Sequence, residues 1–128
     1  MGAWVMMLVC NLLTPLIMWG AGEMLLAWPP KEINGIVGYR TRRSMVNQDT
    51  WDFANRQAGL IWRRWGLGML AAVLAGMLPM LGRVDDGMVY GWGMAILAVE
   101  MIVLCVSIVP VERALKRTFH ENGSRKDS

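Results

Sequence analysis

The sequence predicts an all-α integral membrane protein, a three-helix bundle with an ordered cytoplasmic loop between helices one and two. The 128 residues are 55% apolar, with 12 Met and 7 Trp, which is unusual for a soluble domain. The apolar residues fall into three runs, each close to the length, about 20 residues, that a helix needs to cross a bilayer. A polar and basic segment separates the first two runs.

The three runs give the predicted spans. Span one is residues 3–28 and ends at two prolines, which lack the donor that a helix requires. Span two, residues 65–82, carries no charge. Span three, residues 87–110, contains Glu100. A central acidic residue costs about 3 kcal/mol, but the Val, Ile and Leu residues of this span together contribute roughly −3 to −6 kcal/mol, so insertion is still favoured.

The distribution of basic residues predicts the orientation. Of 13 Lys and Arg residues, seven lie in the loop 29–64 and five in the tail 111–128, whereas only Arg83 lies between spans two and three. The side of a membrane protein that is rich in Lys and Arg is cytoplasmic. The N-terminus is therefore predicted outside the cell, and the C-terminus inside.

A helical pattern begins within the loop. Apolar residues recur at steps of three and four through residues 51–65, which predicts a helix from about Gln48 through span two. Three residues are candidates for its N-cap: Ser44, Asn47 and Asp49. Two glycines are places where it could bend: Gly59 and Gly66. The preceding residues 33–44 lack helical spacing and predict an ordered turn or a re-entrant stretch.

Small residues recur at every fourth position of spans two and three. They are Gly68, Ala72 and Gly76, then Gly87, Gly91 and Ala95. Such stripes let helices approach closely in lipid, and packing within the chain is favoured here over a homo-oligomer face. The tail 111–128 is predicted to be disordered, with basic residues near anionic lipid headgroups.

No pattern typical of an enzyme is present. The sequence lacks a nucleophile placed beside a base and a glycine loop that would cradle phosphate. His120 has no second His or Cys nearby, so no metal site is predicted. We therefore expect no catalytic activity, no cofactor and no nucleic-acid partner.

The polar loop carries spaced residues that resemble a known family. Asn34 is followed by GYRT at 38–41, Ser44, WDFANR at 51–56 and Gly59. This pattern resembles the SdpI family of bacterial membrane proteins, named after an immunity protein that protects a bacterium from its own secreted toxin and can hold a repressor at the membrane. The namesake has more spans than are predicted here, so the resemblance supports fold and inner-membrane location more firmly than immunity.

The resemblance implies a binding role in toxin immunity or membrane signalling, with a toxin peptide or a cytoplasmic regulator as partner. The candidate binding residues are those of the motif: Asn34, Gly38, Tyr39, Arg40, Thr41, Ser44, Trp51, Asn55, Arg56 and Gly59.

The residue types of the loop allow two interpretations. Arg40, Arg42 and Arg43 beside two hydroxyl side chains suit a phosphate or a carboxylate. Alternatively, these arginines set the topology and reach lipid phosphates. Three tryptophans are predicted to be interfacial anchors rather than ligand-stacking residues: Trp51, Trp62 and Trp65.

Glu23 and Glu100 are the ionisable residues predicted within the membrane. Each is neutral, paired with a loop arginine, or sharing a proton or cation with the other. For Glu23 we favour pairing with Arg40; for Glu100 we favour a protonated carboxyl hydrogen-bonded to a neighbouring helix. The alternative function follows from these residues: a small oligomeric transporter or channel for a proton or cation.

Overall fold

The structure, a computed structural model, describes residues 2–36, 38–83 and 85–126. Its helices are α1 (Gly2–Ala27), α2 (Gln48–Met77), α3 (Asp86–Val106) and α4 (Ile108–Thr118), with a 3₁₀ turn at Leu78–Met80 after α2. No β-strand is present among the described residues, so the predicted all-α class is confirmed. The predicted start of the second helix at Gln48 is also correct.

Two helical segments are long and apolar enough to cross a membrane. They are α1 and the 33-residue segment Asp86–Thr118, which contains α3 and α4. Both expose large apolar side chains, such as Ile17 and Ile102, which are 68% and 62% exposed. In α2, Arg63 and Arg64 precede a shorter apolar stretch, so its crossing of a bilayer stays a prediction.

α1 packs antiparallel against the second half of α2 through glycine contacts. A Cβ atom on Gly22 would lie 2.5 Å from the Arg63 nitrogen, and one on Gly66 would lie 2.6 Å from the Trp19 nitrogen. The two backbones therefore touch, as small residues allow. The two glycines predicted as possible bends, Gly59 and Gly66, are helix contact points, and α2 continues through both.

α3 packs mainly on α1 and only slightly on α2. Gly93 is in contact with Met7, and the Asn11 side chain donates a hydrogen bond to the Gly93 carbonyl (3.2 Å). By contrast, a Cβ atom on Gly68 or Gly91 would meet no atom within 4 Å. The predicted packing within the chain is found at Gly76, where a Cβ atom would lie 3.4 Å from Ile96 of α3, and not at Gly68 or Gly91.

The helical hydrogen bonding is interrupted between α3 and α4. Pro110 has no N–H to donate to the carbonyl four residues earlier, so the regular ladder is interrupted near Ser107. The Ser107 hydroxyl donates to the Leu104 carbonyl and accepts from the Trp62 indole N–H (3.1 Å). This junction is thereby fastened to α2.

The tail is folded, so its predicted disorder is wrong for the described residues. Val111 and Leu115 are buried on one face of α4, because their spacing of four places them on one side of the helix. The chain then turns back, and the Lys126 N–H donates to the Thr118 carbonyl (2.8 Å). Asp127 and Ser128, also predicted to be disordered, lie outside the described residues.

Candidate functional site

Trp51 and Asn55 fasten the motif loop to the first turns of α2. The Tyr39 N–H donates to Asn55 Oδ1 (2.7 Å), and the Trp51 indole N–H donates to the Pro30 carbonyl (2.8 Å). Gly38 has a φ of 103°, and a Cβ atom there would lie 2.7 Å from Asn55 Oδ1. Trp51 is fully buried at 0% exposure. Its predicted role as an interfacial anchor is therefore wrong, since its ring lies inside the protein.

The hydroxyl groups of the motif are engaged within the loop itself. The Thr41 N–H donates to Ser44 Oγ (2.8 Å), and the Ser44 N–H donates to Thr41 Oγ1 (3.3 Å). Asn47, one of three predicted caps, forms a capping box with Thr50 at the start of α2. The Thr41 and Ser44 hydroxyls are thus part of the turn rather than open to a ligand.

The remaining motif residues are spread over three places. Asn34 makes hydrogen bonds within its own turn, and the Arg40 guanidinium donates to the Gly35 carbonyl. Arg56 is exposed on α2, and Gly59 lies at the contact with α1. Most of the motif therefore determines the shape of the loop.

Tyr39 connects the loop to α4. Its hydroxyl donates to Glu112 Oε1 (3.1 Å), and its side chain is buried. Burial and then the neighbouring Glu112 carboxylate raise the pKa of the Tyr39 phenol well above its ordinary value, so the group stays a neutral donor. The second carboxylate oxygen, Glu112 Oε2, is buried without a hydrogen-bond partner among the described residues.

A surface cavity of about 580 Å³ opens beside Glu112, and we call it the cap pocket. Its lining is Arg42, Arg43, Val46, Glu112, Lys116 and Glu121. None of its three cations forms an ion pair with a described residue. Arg42 and Arg43 were predicted as phosphate or carboxylate ligands; Arg40, Thr41 and Ser44, predicted with them, do not line this cavity.

The folded tail covers the start of α2. Arg125 binds Asp49 through two hydrogen bonds of 2.8 and 2.7 Å. The same guanidinium lies over the Phe119 ring, 5.0 Å from its centroid. The Asn47 side chain also donates to the Gly123 carbonyl (2.8 Å). Loop, α2, α4 and tail therefore form one assembly at this end of the bundle.

Acid is expected to release the tail. The hydrogen bonds from Arg125 hold the pKa of the Asp49 carboxyl below its ordinary value. The contact therefore stabilises the fold above the ordinary carboxyl pKa and is lost as the pH falls through the lowered one. Because both side chains are about half exposed, we expect local opening of residues 119–126 rather than global unfolding.

Hydrogen-exchange protection factors of the 119–126 amides, corrected for intrinsic rates, measure this opening. In the wild type, these protection factors should decrease once the pH drops below about 4. In Asp49→Asn they should already be low at neutral pH and change little on acidification. High protection at neutral pH in Asp49→Asn would contradict the assigned role of the ion pair.

Glu23 forms an ion pair with Arg63, not with Arg40. Glu23 Oε1 lies 2.9 Å from Arg63 Nε, and both side chains are about half exposed. The predicted Arg40 partner is wrong because the close contact at Gly22 sets the register that brings Glu23 to Arg63. Arg40 is held within its own loop at Gly35.

Glu100 is buried at 2% exposure, and neither carboxyl oxygen has a hydrogen-bond partner among the described residues. Thr14 of α1 faces the carboxyl group without reaching hydrogen-bond geometry. Thr14 is therefore the candidate partner for the favoured hydrogen bond to a neighbouring helix, which stays a prediction. Glu23 and Glu100 are not joined by a hydrogen bond, since neither Glu100 oxygen has a partner among the described residues.

Comparison with known proteins decides the family. A family model described as the SdpI/YfhL protein family matches residues 31–111, from the motif loop to the first turn of α4. The chain belongs to the SdpI/YfhL family. A Bacillus subtilis (strain 168) relative, named "Uncharacterized protein YfhL", is 36% identical over 105 residues, which cover 80% of this chain and 83% of the relative. No solved structure matches the chain.

Two carboxylates of the cap pocket in this SdpI/YfhL family member, Glu112 and Glu121, were not predicted as site residues. The spacing of Val111, Leu115 and Phe119 was the available signal, since residues four apart share one helix face. It indicates a tail that packs on the bundle, and a packed tail brings its charges to the motif loop.

Proposed function

We propose that this SdpI/YfhL family member binds a peptide or protein partner at the cap pocket. The partner is a toxin peptide if the role is immunity, or a cytoplasmic regulator if the role is signalling. The observation that carries the proposal is that Arg42, Arg43 and Lys116 surround one cavity and that none of them is ion-paired with a described residue. No catalytic role is proposed.

The charges of the cap pocket favour a partner of mixed charge. Guanidinium groups bind carboxylates through paired hydrogen bonds, and here two of them are held by a fixed loop. Glu112 and Glu121 lie on the same cavity, and they would repel a free phosphate or a purely acidic segment. A polypeptide that presents both acidic and basic side chains satisfies both sets of groups.

We place the protein in the bacterial cytoplasmic membrane with three spans, the N-terminus outside and the C-terminus inside. The apolar, exposed faces of α1 and α3 support the membrane location. The contacts between loop and tail support the orientation, because three spans put both on one side, and that side carries 12 of the 13 basic residues, all but Arg83. Exposed Arg113 and Arg117 then lie where anionic headgroups would attract them.

Reporter fusions test the orientation. A cytoplasm-specific reporter joined to the C-terminus should be active, and the same reporter inserted beside Asp86 should be inactive. A reporter that works only outside the cytoplasm should give the reverse result at the two sites. Cytoplasmic activity at Asp86 would contradict the three-span arrangement.

Killing by conditioned medium tests the proposed function. A deletion strain, grown in medium spent by its parent, should die or slow unless the chain is supplied on a plasmid. Arg42→Gln with Arg43→Gln should lower protection about tenfold or more, because two bidentate donors are lost. The matched control is Arg113→Gln with Arg117→Gln, which makes the same charge change outside the cap pocket and should keep protection.

A signalling role is tested by measuring transcript levels in the same strains. If the role is signalling, deletion should alter transcript levels, and the Arg42 and Arg43 double variant should reproduce the change. If deletion alters neither survival nor transcription, or if the control pair fails as badly as the pocket pair, the proposed function is wrong.

The buried carboxyl of Glu100, which has no hydrogen-bond partner among the described residues, favours a transporter as the second candidate. Transport of a proton or cation needs a group that changes ionisation or coordination, and glutamine lacks that ability. Under the leading proposal, Glu100→Gln keeps protection. Proton or cation flux in proteoliposomes that is present in the wild type and absent in Glu100→Gln would favour the transporter instead.

A further inference from the structure

A lateral cleft of about 510 Å³ lies between α2 and α3, in the apolar part of the bundle. Small residues line its centre, namely Gly68, Ala72 and Ala95, and Trp65 and Trp92 belong to its walls. Glu100 is the one charged residue among the described residues that line it. α3 packs mainly on α1 and meets α2 at Gly76, so the small residues that line the cleft are left uncovered.

The buried carboxyl of Glu100 needs a hydrogen-bond donor or a positive charge beside it. Only 2% of the residue is exposed, and neither carboxyl oxygen has a hydrogen-bond partner among the described residues. A buried carboxyl without a partner is unfavourable in either protonation state, because it has lost its hydrogen bonds to water. An occupant that places a hydrogen-bond donor or a positive charge beside Glu100 removes that cost.

The surroundings of Glu100 supply no positive charge: Thr14 of α1 faces the carboxyl group, but its hydroxyl is neutral and does not reach hydrogen-bond geometry. The described residues of α1 and α3 include no Lys or Arg, and the residues of α2 that line the cleft include none either. The Trp92 indole N–H already donates to the Gly76 carbonyl (2.7 Å). An acyl chain matches the apolar walls but has no donor. A small molecule that combines an apolar body with its own cationic group would match both the apolar walls and Glu100.

We propose that the cleft binds lipophilic amines, with the apolar body between α2 and α3 and the ammonium group against Glu100. The cavity volume lies within the range of pockets that hold drug-sized ligands. Trp65 and Trp92 add aromatic surface, which suits an apolar body near a cation. This site is separate from the cap pocket and concerns a different class of ligand from the proposed partner.

A matched pair of fluorescent probes tests the proposal. Dansylcadaverine carries a terminal ammonium, and N-hexyl dansylamide has a methyl group in its place. The full chain is placed in nanodiscs of zwitterionic lipid, and energy transfer from tryptophan to dansyl is measured above the signal of nanodiscs without protein. We expect the wild type to bind the ammonium probe about tenfold more tightly than the methyl probe, as a charge-assisted contact implies.

Two variants and one control identify the site. Glu100→Gln should lower the affinity for the ammonium probe to that for the methyl probe, without changing the latter. Ala72→Leu should fill the cleft and remove the binding of both probes. Ala98→Leu adds the same side chain at an exposed position of α3 outside the cleft and should leave both affinities unchanged.

Equal affinity of the wild type for both probes would overturn the proposal, as would a preference for the ammonium probe that persists in Glu100→Gln. A dimer that forms in the wild type and is lost in Ala72→Leu would show that a second copy fills the cleft, which also overturns it. None of these results depends on whether the cap pocket confers protection.

Discussion

Replacement of Gly22 by alanine should destabilise the protein by about 1–3 kcal/mol, the range of overpacking in a well-packed core. The new Cβ atom would lie 2.5 Å from the Arg63 nitrogen and 2.9 Å from the Gly59 carbonyl oxygen. Both are backbone atoms, so neither can rotate away. The two helices must separate, which also weakens the ion pair between Glu23 and Arg63.

Gly20→Ala is the matched control for this prediction. It lies two residues earlier on α1, and its Cβ atom would meet nothing within 4 Å. Because alanine favours helix over glycine by up to about 1 kcal/mol, this change should be neutral or stabilising. Thermal unfolding in detergent, followed by tryptophan fluorescence, should move in opposite directions for the two variants. A similar midpoint for both would show that the contact at Gly22 is not tight.

Gly38→Ala should disrupt the motif loop and abolish protection in the conditioned-medium assay. Gly38 has a φ of 103°, which strains any residue with a Cβ atom, and that atom would lie 2.7 Å from both Asn55 Oδ1 and Pro30 Cγ. Strain of this kind costs about 1–3 kcal/mol. The loop can avoid it by releasing the bond from the Tyr39 N–H to Asn55, and the cap pocket then loses its shape.

Gly35→Ala lies in the same loop with no atom within 4 Å of its Cβ, and it should retain protection and stability. Hydrogen exchange at Tyr39 reports the loop directly, since its N–H is bonded to Asn55 in the folded state. Faster exchange is expected in Gly38→Ala and not in Gly35→Ala. If Gly38→Ala protects cells fully and keeps slow exchange at Tyr39, the loop does not depend on this glycine.

Local signals in the sequence predicted the helices well. The start of α2 at Gln48 follows from apolar spacing, and Asn47 was among the predicted caps because capping involves neighbouring residues. The partner of Glu23 could not be predicted in this way. It depends on the register between α1 and α2, which is set by backbone contacts at Gly22 that no local pattern encodes.

Two predictions that rested on residue composition were wrong, namely those for Trp51 and for the C-terminal tail. Trp51 was assigned to the membrane–water interface because tryptophan is frequent there. Its indole N–H instead donates to the Pro30 carbonyl, and its ring is buried. The tail was judged by its polar residues, although Val111 and Leu115 give it one apolar face. In both cases the tertiary partner, rather than the residue type, decides burial.

The tail contacts also constrain when the protein can mature. Residues 119–126 leave the ribosome after all the helices have been made, and they supply Arg125 and Gly123 to the start of α2. The helices can therefore enter the membrane while this end of the molecule is still open. A nascent chain stalled before Phe119 would be inserted yet lack the finished cap pocket. Newly made copies would thus become competent to bind only after translation has passed Lys126.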